Sequence, residues 1–237
     1  MTKGTKLKVV IGSLCLLLIL AMVYRYNPYR FSFLGHYDKI WAHRVNDTAK
    51  LASALDHFEG VELDLIFLED TGVLDVNHPP APSNGLTFEV YLSRIETGKY
   101  PYLWLDIKNL NSENSTVIFD RLQALFKNKS YPFHKVLVET RYPDALPVFT
   151  EAGYKTSYYL PSNPSEHIPK IDSILRVQPT IGISTTYKNY TTVAKIFPKK
   201  TKYIWILNHN KLIEHRLVRS ILKDTTVKVV LVPYRSI

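Results

Sequence analysis

Cysteine is almost absent from this sequence of 237 residues. The single cysteine, Cys15, lies in an apolar run near the N-terminus, and none occurs elsewhere. This scarcity excludes a disulfide framework, a thiolate metal site and a cysteine nucleophile from the remainder of the chain. Any metal site or catalytic group there has to be built from oxygen and nitrogen atoms.

A concentrated basic segment with the signature of nucleic-acid binding is also missing, although the net charge is +9. Part of that charge belongs to the first thirty residues, which contain five basic residues and no acidic one. The rest of the chain carries 25 basic and 21 acidic residues, an ordinary balance for a protein surface. We therefore expect no nucleic-acid partner.

The N-terminal run, residues 9–24, is uncharged, mostly apolar and bounded by Lys8 and Arg25. A helix of this length spans about 24 Å, and the flanking basic side chains can extend it toward the ~30 Å of a hydrocarbon core. The segment Ile19-Leu20-Ala21 lacks the small residues that precede a signal-peptidase site. This favours an uncleaved signal anchor over a cleaved signal peptide.

Such an anchor predicts a transmembrane helix ahead of the folded domain. The chain then divides into a membrane anchor with its linker, residues 1–30, and a folded domain, residues 31–237. A slight excess of positive charge before the apolar run predicts a cytoplasmic N-terminus. The domain is therefore expected outside the cytoplasm, in the periplasm, a lumen or the extracellular space.

From residue 39 onward, short branched apolar runs alternate with helical patterns. Strands are predicted at residues 39–43, 60–66, 102–107, 136–139, 155–160, 180–184, 202–207 and 227–232. Strands that alternate with helices pair in parallel, and eight of them predict an α/β fold, a closed (β/α)₈ TIM-type barrel. An open doubly wound sheet is the alternative, but the glycine-rich loop typical of that fold is missing after the first strand.

The second strand, residues 60–66, carries two carboxylates in an otherwise apolar sequence. Side chains in a strand alternate between two faces, so Glu62 and Asp64 point to the same side. Buried like charges repel each other, and a divalent cation between them would relieve the repulsion. Oxygen ligands suit Mg²⁺ or Ca²⁺. An edge strand with a solvated face is the alternative interpretation.

A β-hairpin extension is predicted directly after this strand. Asp70-Thr71-Gly72 is a turn signal, and residues 73–77 alternate between apolar and polar side chains. The returning strand is expected to bring His78 over the barrel mouth, close to Glu62 and Asp64.

Further polar side chains fall at predicted strand ends, where barrels of this type form their active sites. The first strand ends in His43 and Arg44, and the third carries Asp106 and Lys108 on one face. Histidines can act as general acid and base, and the cationic side chains suit a phosphate. The simpler interpretations are structural histidines, a loop at His78 and a plain ion pair of Asp106 with Lys108. The fourth and seventh strands end in Glu139 and Asn208, to which the sequence assigns no role.

These motifs resemble the superfamily of barrels that contains glycerophosphodiester phosphodiesterases and phosphatidylinositol phospholipase C-like enzymes. The shared elements are His43-Arg44, Glu62-x-Asp64, the hairpin that ends in His78, and Leu105-Asp106-Ile107-Lys108. The spacing His43-x-x-Asn46 and the triplet His78-Pro79-Pro80 are similar to the menorin family within this superfamily. The match is strong over residues 40–110; beyond them it rests on the strand pattern and on Trp205 with Asn208.

The resemblance implies a metal-dependent phosphodiesterase that uses Mg²⁺ or Ca²⁺. The substrate it implies is a phosphodiester such as a glycerophosphodiester. The predicted membrane anchor adds a (lyso)phospholipid head group as a second candidate, by location alone. The resemblance also implies metal ligation by Glu62, Asp64 and Asp106, acid–base roles for His43 and His78, and phosphate contacts from Arg44, Lys108 and Asn46. The sequence departs from the usual His-Arg-Gly motif by having Val45, which affects the substrate more than the chemistry.

Two other functions remain open. One is a non-catalytic extracytoplasmic barrel that serves as a recognition or interaction module and keeps the fold. The other is a barrel that applies its divalent cation to a sugar, as isomerases do. The second is disfavoured because the fifth, sixth and eighth predicted strands offer almost no metal ligands.

Overall fold

The computed structural model describes residues 3–206 and 212–235. A long helix, α1 (Lys3–Tyr26), precedes the first strand. The strands in the described residues are β1 (Ile40–His43), β2 (Gly60–Leu68), β3 (Val73–Val76), β4 (Tyr102–Ile107), β5 (Val136–Thr140), β6 (Lys155–Tyr159), β7 (Gly182–Thr186), β8 (Lys202–Trp205) and β9 (Val227–Pro233). All eight predicted strands are present with small shifts at their ends. Asn208, predicted to follow the seventh of them, lies outside the described residues.

Eight of these strands, all except β3, form a closed parallel barrel. Their hydrogen-bonded order is β1-β2-β4-β5-β6-β7-β8-β9, and β9 returns to β1. Closure occurs at β1, where Ala42 aligns with Val61 of β2 on one side and with Val232 of β9 on the other. This arrangement confirms the predicted eight-stranded TIM-type barrel and excludes the open doubly wound sheet.

The remaining strand, β3, forms the predicted hairpin with β2. It pairs antiparallel with the end of β2, so that Leu65 aligns with Val76. Gly72 has a φ of 66° in the turn, a left-handed conformation that glycine adopts without steric cost. Asn109, in the loop after β4, hydrogen-bonds both the N–H and the carbonyl of Phe67 and so fixes the end of β2.

Helices outside the barrel cover the outward faces of the strands. They are α2 (Thr48–Leu55), α3 (Phe88–Ser93), α4 (Ser115–Asn128), α5 (Pro147–Glu151), α6 (Ile168–Val177), α7 (Tyr190–Ile196) and α8 (Leu212–Lys223). Leu63, Leu105 and Val138 face this outer layer, in which most of the buried apolar residues lie. A second apolar cluster fills the barrel interior and includes Trp41, Trp104, Leu137, Tyr203, Trp205, Val229 and Leu231.

The N-terminal segment differs from its prediction. Helix α1 exposes apolar side chains from Leu7 to Ile19. Over the residues that the structure describes, however, no helix is both long enough and apolar enough to cross a membrane. The transmembrane helix predicted at residues 9–24 is therefore not supported. The domain boundary at residue 30 stays a prediction; directly after it, Phe33 is buried in the outer core.

Candidate active site

Three carboxylates meet at the mouth of the barrel, at the carboxyl ends of adjacent strands. Glu62 and Asp64 lie on β2, and Asp106 lies on β4, aligned with Asp64 in the strand register. Each residue offers one oxygen, and these oxygens all lie within 4.8 Å of one another. The predicted convergence of the three side chains is therefore present, because alternation along each strand turns them all into the barrel.

The three carboxylates are poorly solvated and influence one another. Glu62 and Asp64 are 2% and 1% exposed. Burial and the negative charges of Asp64 and Asp106 raise the pKa of Glu62 well above its ordinary value. Burial likewise raises the pKa of Asp106, although Lys108 opposes the shift. Positive charge close to these oxygens stabilises their ionised form.

Lys108 supplies part of that positive charge. Its Nζ lies 2.5 Å from Asp64 Oδ1 and also contacts Asp106 Oδ2. Burial disfavours the ammonium, but Asp106 and Asp64 outweigh burial and raise the pKa of Lys108. The ion pair that the sequence allowed between Asp106 and Lys108 thus exists, and it extends to Asp64.

The turn after β1 holds Glu62 from the other side. Arg44 has a φ of 54°, a left-handed conformation that is uncommon for residues other than glycine. In this conformation its N–H donates to Glu62 Oε2 at 2.6 Å, and its Nη2 lies 2.8 Å from His78 Nε2. Lys50 Nζ donates to the carbonyl oxygens of His43 and Arg44 at 3.0 and 2.6 Å. Backbone strain of this kind is concentrated at functional sites.

The two predicted catalytic histidines flank the carboxylates. His43 Nε2 lies 3.6 Å from Glu62 Oε2, and His78 Nε2 lies 4.0 Å from Asp64 Oδ1. Burial and the charge of Arg44 lower the pKa of His43 from 6.5 to about 3, so its ring is neutral at pH 7. The hairpin delivers His78, whose side chain is 31% exposed, to the position predicted for it.

Asn46 braces a carboxylate. Its Nδ2 donates to Asp64 Oδ2 at 2.7 Å, and its Oδ1 accepts from the Asp64 N–H at 3.0 Å. These two bonds fix the orientation of Asp64 relative to the turn after β1. The phosphate contact predicted for Asn46 stays a prediction, because its amide is committed to Asp64 here.

The donor set fits a hard divalent cation. Carboxylate oxygens that lie close together are the ligands that Mg²⁺ and Ca²⁺ prefer, with water or substrate oxygens completing the shell. Glu62, Asp64 and Asp106 could therefore hold one metal ion, and all three were predicted as ligands. The choice between Mg²⁺ and Ca²⁺ stays open, because both accept such ligands.

Several solved structures that share this fold are phosphodiesterases or are assigned as such. No protein-family model matches the chain, and no curated protein matches its sequence. A Galdieria sulphuraria protein assigned as a glycerophosphodiester phosphodiesterase has a TM-score of 0.59 at 16% identity, covering 83% of this chain and 94% of its own. A glycerophosphodiester phosphodiesterase from Thermotoga maritima gives 0.59 at 14%, covering 81% and 93%. An Oleispira antarctica phosphodiesterase in complex with the product sn-glycerol-3-phosphate gives 0.55 at 14%, covering 81% and 92%.

The chain has the fold of these phosphodiesterases. The likeness agrees with the fold that the motif resemblance implies. At such low identity it shows the fold alone, so the chemistry has to be argued from the side chains at the barrel mouth.

The carboxylates and histidines open into a cavity of about 240 Å³. Seven of the predicted site residues line it: His43, Arg44, Glu62, Asp64, His78, Asp106 and Lys108. Glu139, Arg141 and Tyr159 line it as well, although no role was predicted for them. Strand alternation could have found Glu139, which faces inward on β5 and aligns with Asp106. Burial, followed by the charge of Asp106, raises the pKa of Glu139 well above its ordinary value.

Proposed function

We propose that this chain is a metal-dependent phosphodiesterase acting on a glycerophosphodiester or on the head group of a phospholipid or lysophospholipid. The observation that carries the proposal is the gathering of three carboxylates, two histidines and two cationic side chains around one cavity. The fold shared with glycerophosphodiester phosphodiesterases supports the same reaction class. A phosphate ester as ligand is supported by the neighbour that holds sn-glycerol-3-phosphate.

Arg44 and Lys108 are the two cations of the cavity that we assign to the phosphate. The guanidinium of Arg44 is suited to two parallel hydrogen bonds with phosphate oxygens, and the Lys108 ammonium acts as a point charge. Arg44 contacts His78 Nε2, and Lys108 contacts Asp64 and Asp106. A bound phosphate that attracts the guanidinium would release His78 Nε2 for proton transfer.

The two imidazoles can move the protons that the reaction requires. An oxygen from water, or from a neighbouring hydroxyl of the substrate, forms a bond to phosphorus while its proton passes to one histidine. The bond from phosphorus to the leaving oxygen breaks, and the other histidine gives that oxygen a proton. His43 and His78 suit this exchange because they reach the carboxylate cluster from two different elements, β1 and the hairpin.

Glu62, Asp64 and Asp106 would hold the divalent cation, Mg²⁺ or Ca²⁺, and Asn46 would keep Asp64 oriented for it. When bound, the ion supplies Lewis-acid stabilisation of charge on the phosphate oxygens. The preorganised N–H of Arg44 steadies Glu62 in the same arrangement.

The histidines provide the decisive test. His43→Ala and His78→Ala should each lower kcat about 10²–10⁴-fold, the usual contribution of a general acid or base, while metal binding persists. We would measure turnover of bis(p-nitrophenyl) phosphate and of lysophospholipids with Mg²⁺ or Ca²⁺. Metal titration and melting temperature are recorded on the same samples.

His134→Ala is the matched control, because His134 is exposed before β5 and lies away from the cavity. It should leave turnover unchanged. Turnover close to the wild-type value in a well-folded His43→Ala or His78→Ala variant would contradict the mechanism. A wild-type protein that binds the metal but cleaves no phosphodiester would instead favour the non-catalytic recognition module.

Two finer statements stay predictions from the sequence. The menorin-like assignment rests on the His43-x-x-Asn46 spacing and on His78-Pro79-Pro80. Residence outside the cytoplasm rests on residues 1–30. Fractionation of cells that express the full chain, with mass spectrometry of its N-terminus, tests the location: a domain recovered in the cytoplasmic fraction would contradict it.

A further inference from the structure

A third cationic side chain lines the cavity, and the proposed reaction does not use it. Arg141 follows directly after β5, and its exposed side chain lines the cavity together with Tyr159 and Trp205. These three residues come from the ends of β5, β6 and β8, whereas β1, β2 and β4 carry His43 and the carboxylate cluster. Arg141 is therefore placed to meet a different part of any ligand whose phosphate lies at that cluster.

Arg141 differs from the other two cations of the cavity in its partners. Lys108 contacts two of the carboxylates, and Arg44 contacts His78. In the part of the chain that the structure describes, Arg141 forms no ion pair, and its guanidinium carbon lies 4.4 Å from the centroid of the Tyr159 ring. Residues 207–211, outside that part, contain no acidic residue. The ring provides no acceptor oxygen, so the five N–H donors of this guanidinium are free to bind a ligand.

The surroundings of Arg141 hold its side chain beside the cavity. The hydroxyl of Thr140, which is buried, donates to the Leu110 carbonyl at 2.7 Å and accepts from the Tyr142 N–H at 3.1 Å. These two bonds fix the backbone on both sides of Arg141. Packing on Tyr159 restricts the guanidinium further. A donor that is already restricted in this way loses less entropy when it binds an anion.

We propose that Arg141 binds a second anionic group of the substrate, a carboxylate or a second phosphate, and so selects phosphodiesters that carry one. The inference deepens the proposed function and rests on it, because it assumes that a phosphate ester occupies the cavity. A guanidinium donates two parallel hydrogen bonds to either kind of group. It can stay packed on an aromatic ring while it does so, since its N–H groups lie in its own plane.

The charges around the cavity favour such a substrate over one with a cationic head group. The three carboxylates of the cluster and the three basic side chains of the cavity offset one another, and Glu139 favours its neutral form because burial raises its pKa. A divalent cation at the cluster would leave two positive charges in excess, of which a phosphodiester offsets one. A quaternary ammonium group would also require an open aromatic face, and the Arg141 guanidinium already lies over that of Tyr159.

Binding of phosphate monoesters tests the proposal without requiring turnover. We would titrate the full chain with 3-hydroxypropyl phosphate, 3-(phosphonooxy)propanoate, propane-1,3-diyl bisphosphate and phosphocholine at saturating Mg²⁺ or Ca²⁺, using calorimetry. The first three ligands share a three-carbon chain and end in a hydroxyl, a carboxylate or a second phosphate.

Wild-type protein should bind the carboxylate or the bisphosphate ligand about tenfold or more tightly than the hydroxyl ligand, since hydrogen bonds between charged groups are the strong ones. The tighter of the two identifies the anionic group. Phosphocholine should bind no more tightly than the hydroxyl ligand.

Three substitutions separate this contact from a general effect of charge. Arg141→Met removes the donors and should abolish the preference for the anionic ligands, whereas Arg141→Lys keeps the charge without the paired donors and should retain part of it. Arg94→Met is the matched control, because Arg94 is exposed beside Pro101 and Tyr102 at the opposite end of the barrel. It loses the same charge and should keep the full preference. Chelation of free metal by a ligand is the same for every variant.

The outcomes are distinguishable from those of the proposed function. Equal binding of the first three ligands, or a preference that survives in Arg141→Met, would overturn the inference and leave the catalytic proposal standing. Two further results would overturn it: an equal loss of affinity for all ligands in Arg141→Met, which would assign Arg141 to the reacting phosphate, or a preference that Arg94→Met also loses. Selective binding without phosphodiester cleavage would support the role of Arg141 and contradict the catalytic proposal. If none of the ligands binds, both proposals fail.

Discussion

Lys108 acts as a cation for two of the carboxylates that could bind a metal. Its ammonium contacts both Asp64 and Asp106, so it offsets their mutual repulsion in the absence of an ion. A divalent cation in the same cluster would be repelled by this neighbouring positive charge. Lys108 therefore has opposite effects on the metal-free protein and on metal affinity.

We predict that Lys108→Met lowers the melting temperature of the metal-free protein and strengthens Mg²⁺ or Ca²⁺ binding by about tenfold or more, since a favourable change of ~1.4 kcal/mol is enough. Calorimetric titration measures the affinity. Lys99→Met is the control, because Lys99 forms an exposed ion pair with Glu96 far from the cavity. Weaker metal binding in Lys108→Met would show that the ammonium assists the site by keeping the carboxylates ionised. Turnover should fall in either case if Lys108 contacts the phosphate.

Asn46 is the residue whose structural role differs most from its predicted one. Because its amide holds Asp64 at both the carboxylate and the N–H, Asn46→Ala should weaken metal binding about 10–100-fold, the usual effect of losing a group that orients a ligand. Metal titration is the measurement, and Asn128→Ala, exposed at the end of α4, is the control. If Asn46→Ala leaves the metal affinity unchanged and raises KM, Asn46 contacts the substrate phosphate, as the sequence predicted.

Strand alternation was enough to predict the carboxylate cluster but not its supporting contacts. Glu62, Asp64 and Asp106 could be assigned to one face because a strand has a period of two. Two contacts depend on which strands become neighbours and in what register: the hydrogen bonds of Asn46 to Asp64, and the position of Glu139 beside Asp106. Those pairings join residues that are distant in sequence, so local patterns carry little information about them.

At the scale of secondary structure, the packing of Trp41 limits which residues can begin β2. Gly60 begins β2, and a Cβ added there would lie 2.6 Å from Trp41 Cε2, closer than real Cβ atoms approach other groups. Trp41 stacks on Tyr102 with ring centroids 5.3 Å apart, so it has little freedom to move. The start of β2 is thus fixed two residues before Glu62.

Gly60→Ala should therefore destabilise the protein by about 1–3 kcal/mol, the usual cost of overpacking. Chemical denaturation measures the loss. Combining it with Trp41→Phe, which removes part of the indole, should restore much of the stability if the clash is the cause. If the double variant is no more stable than Gly60→Ala alone, the clash with Trp41 is not responsible.

Two helices begin later than the local sequence suggests. Asp144 and Ser165 are of the residue types that cap helix N-termini, yet each lies within a 3₁₀ turn, Pro143–Ala145 or Pro164–His167. Helices α5 and α6 begin later, with proline in their first turn and no side-chain cap. Proline is favoured there because its fixed φ suits a helix and its missing N–H is not needed. The hairpin was easier to predict, since a turn signal is followed directly by residues that alternate between apolar and polar side chains, and both features indicate a hairpin.

At the scale of the whole molecule, the barrel was predictable because eight strands alternate with helices along the chain. Closure depends on β1, whose four residues pair with β9 and whose Ala42 also pairs with Val61 of β2. No local pattern in the sequence shows this closure. It was predicted from the number of strands and from the missing glycine-rich loop. The predicted membrane helix has no such support, since no helix in the described residues is long and apolar enough to cross a membrane.

Proton linkage connects the barrel mouth to the stability of the entire chain. The pKa of Glu62 is raised above its ordinary value of 4.5 in the folded protein. Between 4.5 and the folded-state pKa the native protein binds more protons at Glu62 than the unfolded chain, so stability falls as the pH rises. His43 acts in the opposite direction, but its pKa is lowered from 6.5 to about 3, so its effect is nearly complete by pH 6.5.

We therefore predict that the metal-free protein loses stability as the pH rises above 6.5, by up to about 1.4 kcal/mol per pH unit for each carboxyl that titrates there, and that Glu62→Gln loses less. Denaturant unfolding between pH 6.5 and 8.5 in EDTA measures both slopes, with Glu151→Gln as an exposed control. Saturating Mg²⁺ or Ca²⁺ should reverse the wild-type slope, because metal binding requires deprotonated carboxylates and stabilises the state that holds the ion. Equal slopes for wild type and Glu62→Gln would mean that Glu62 is already ionised in the metal-free fold. Lys108 and the N–H of Arg44 would then neutralise the cluster without a metal ion.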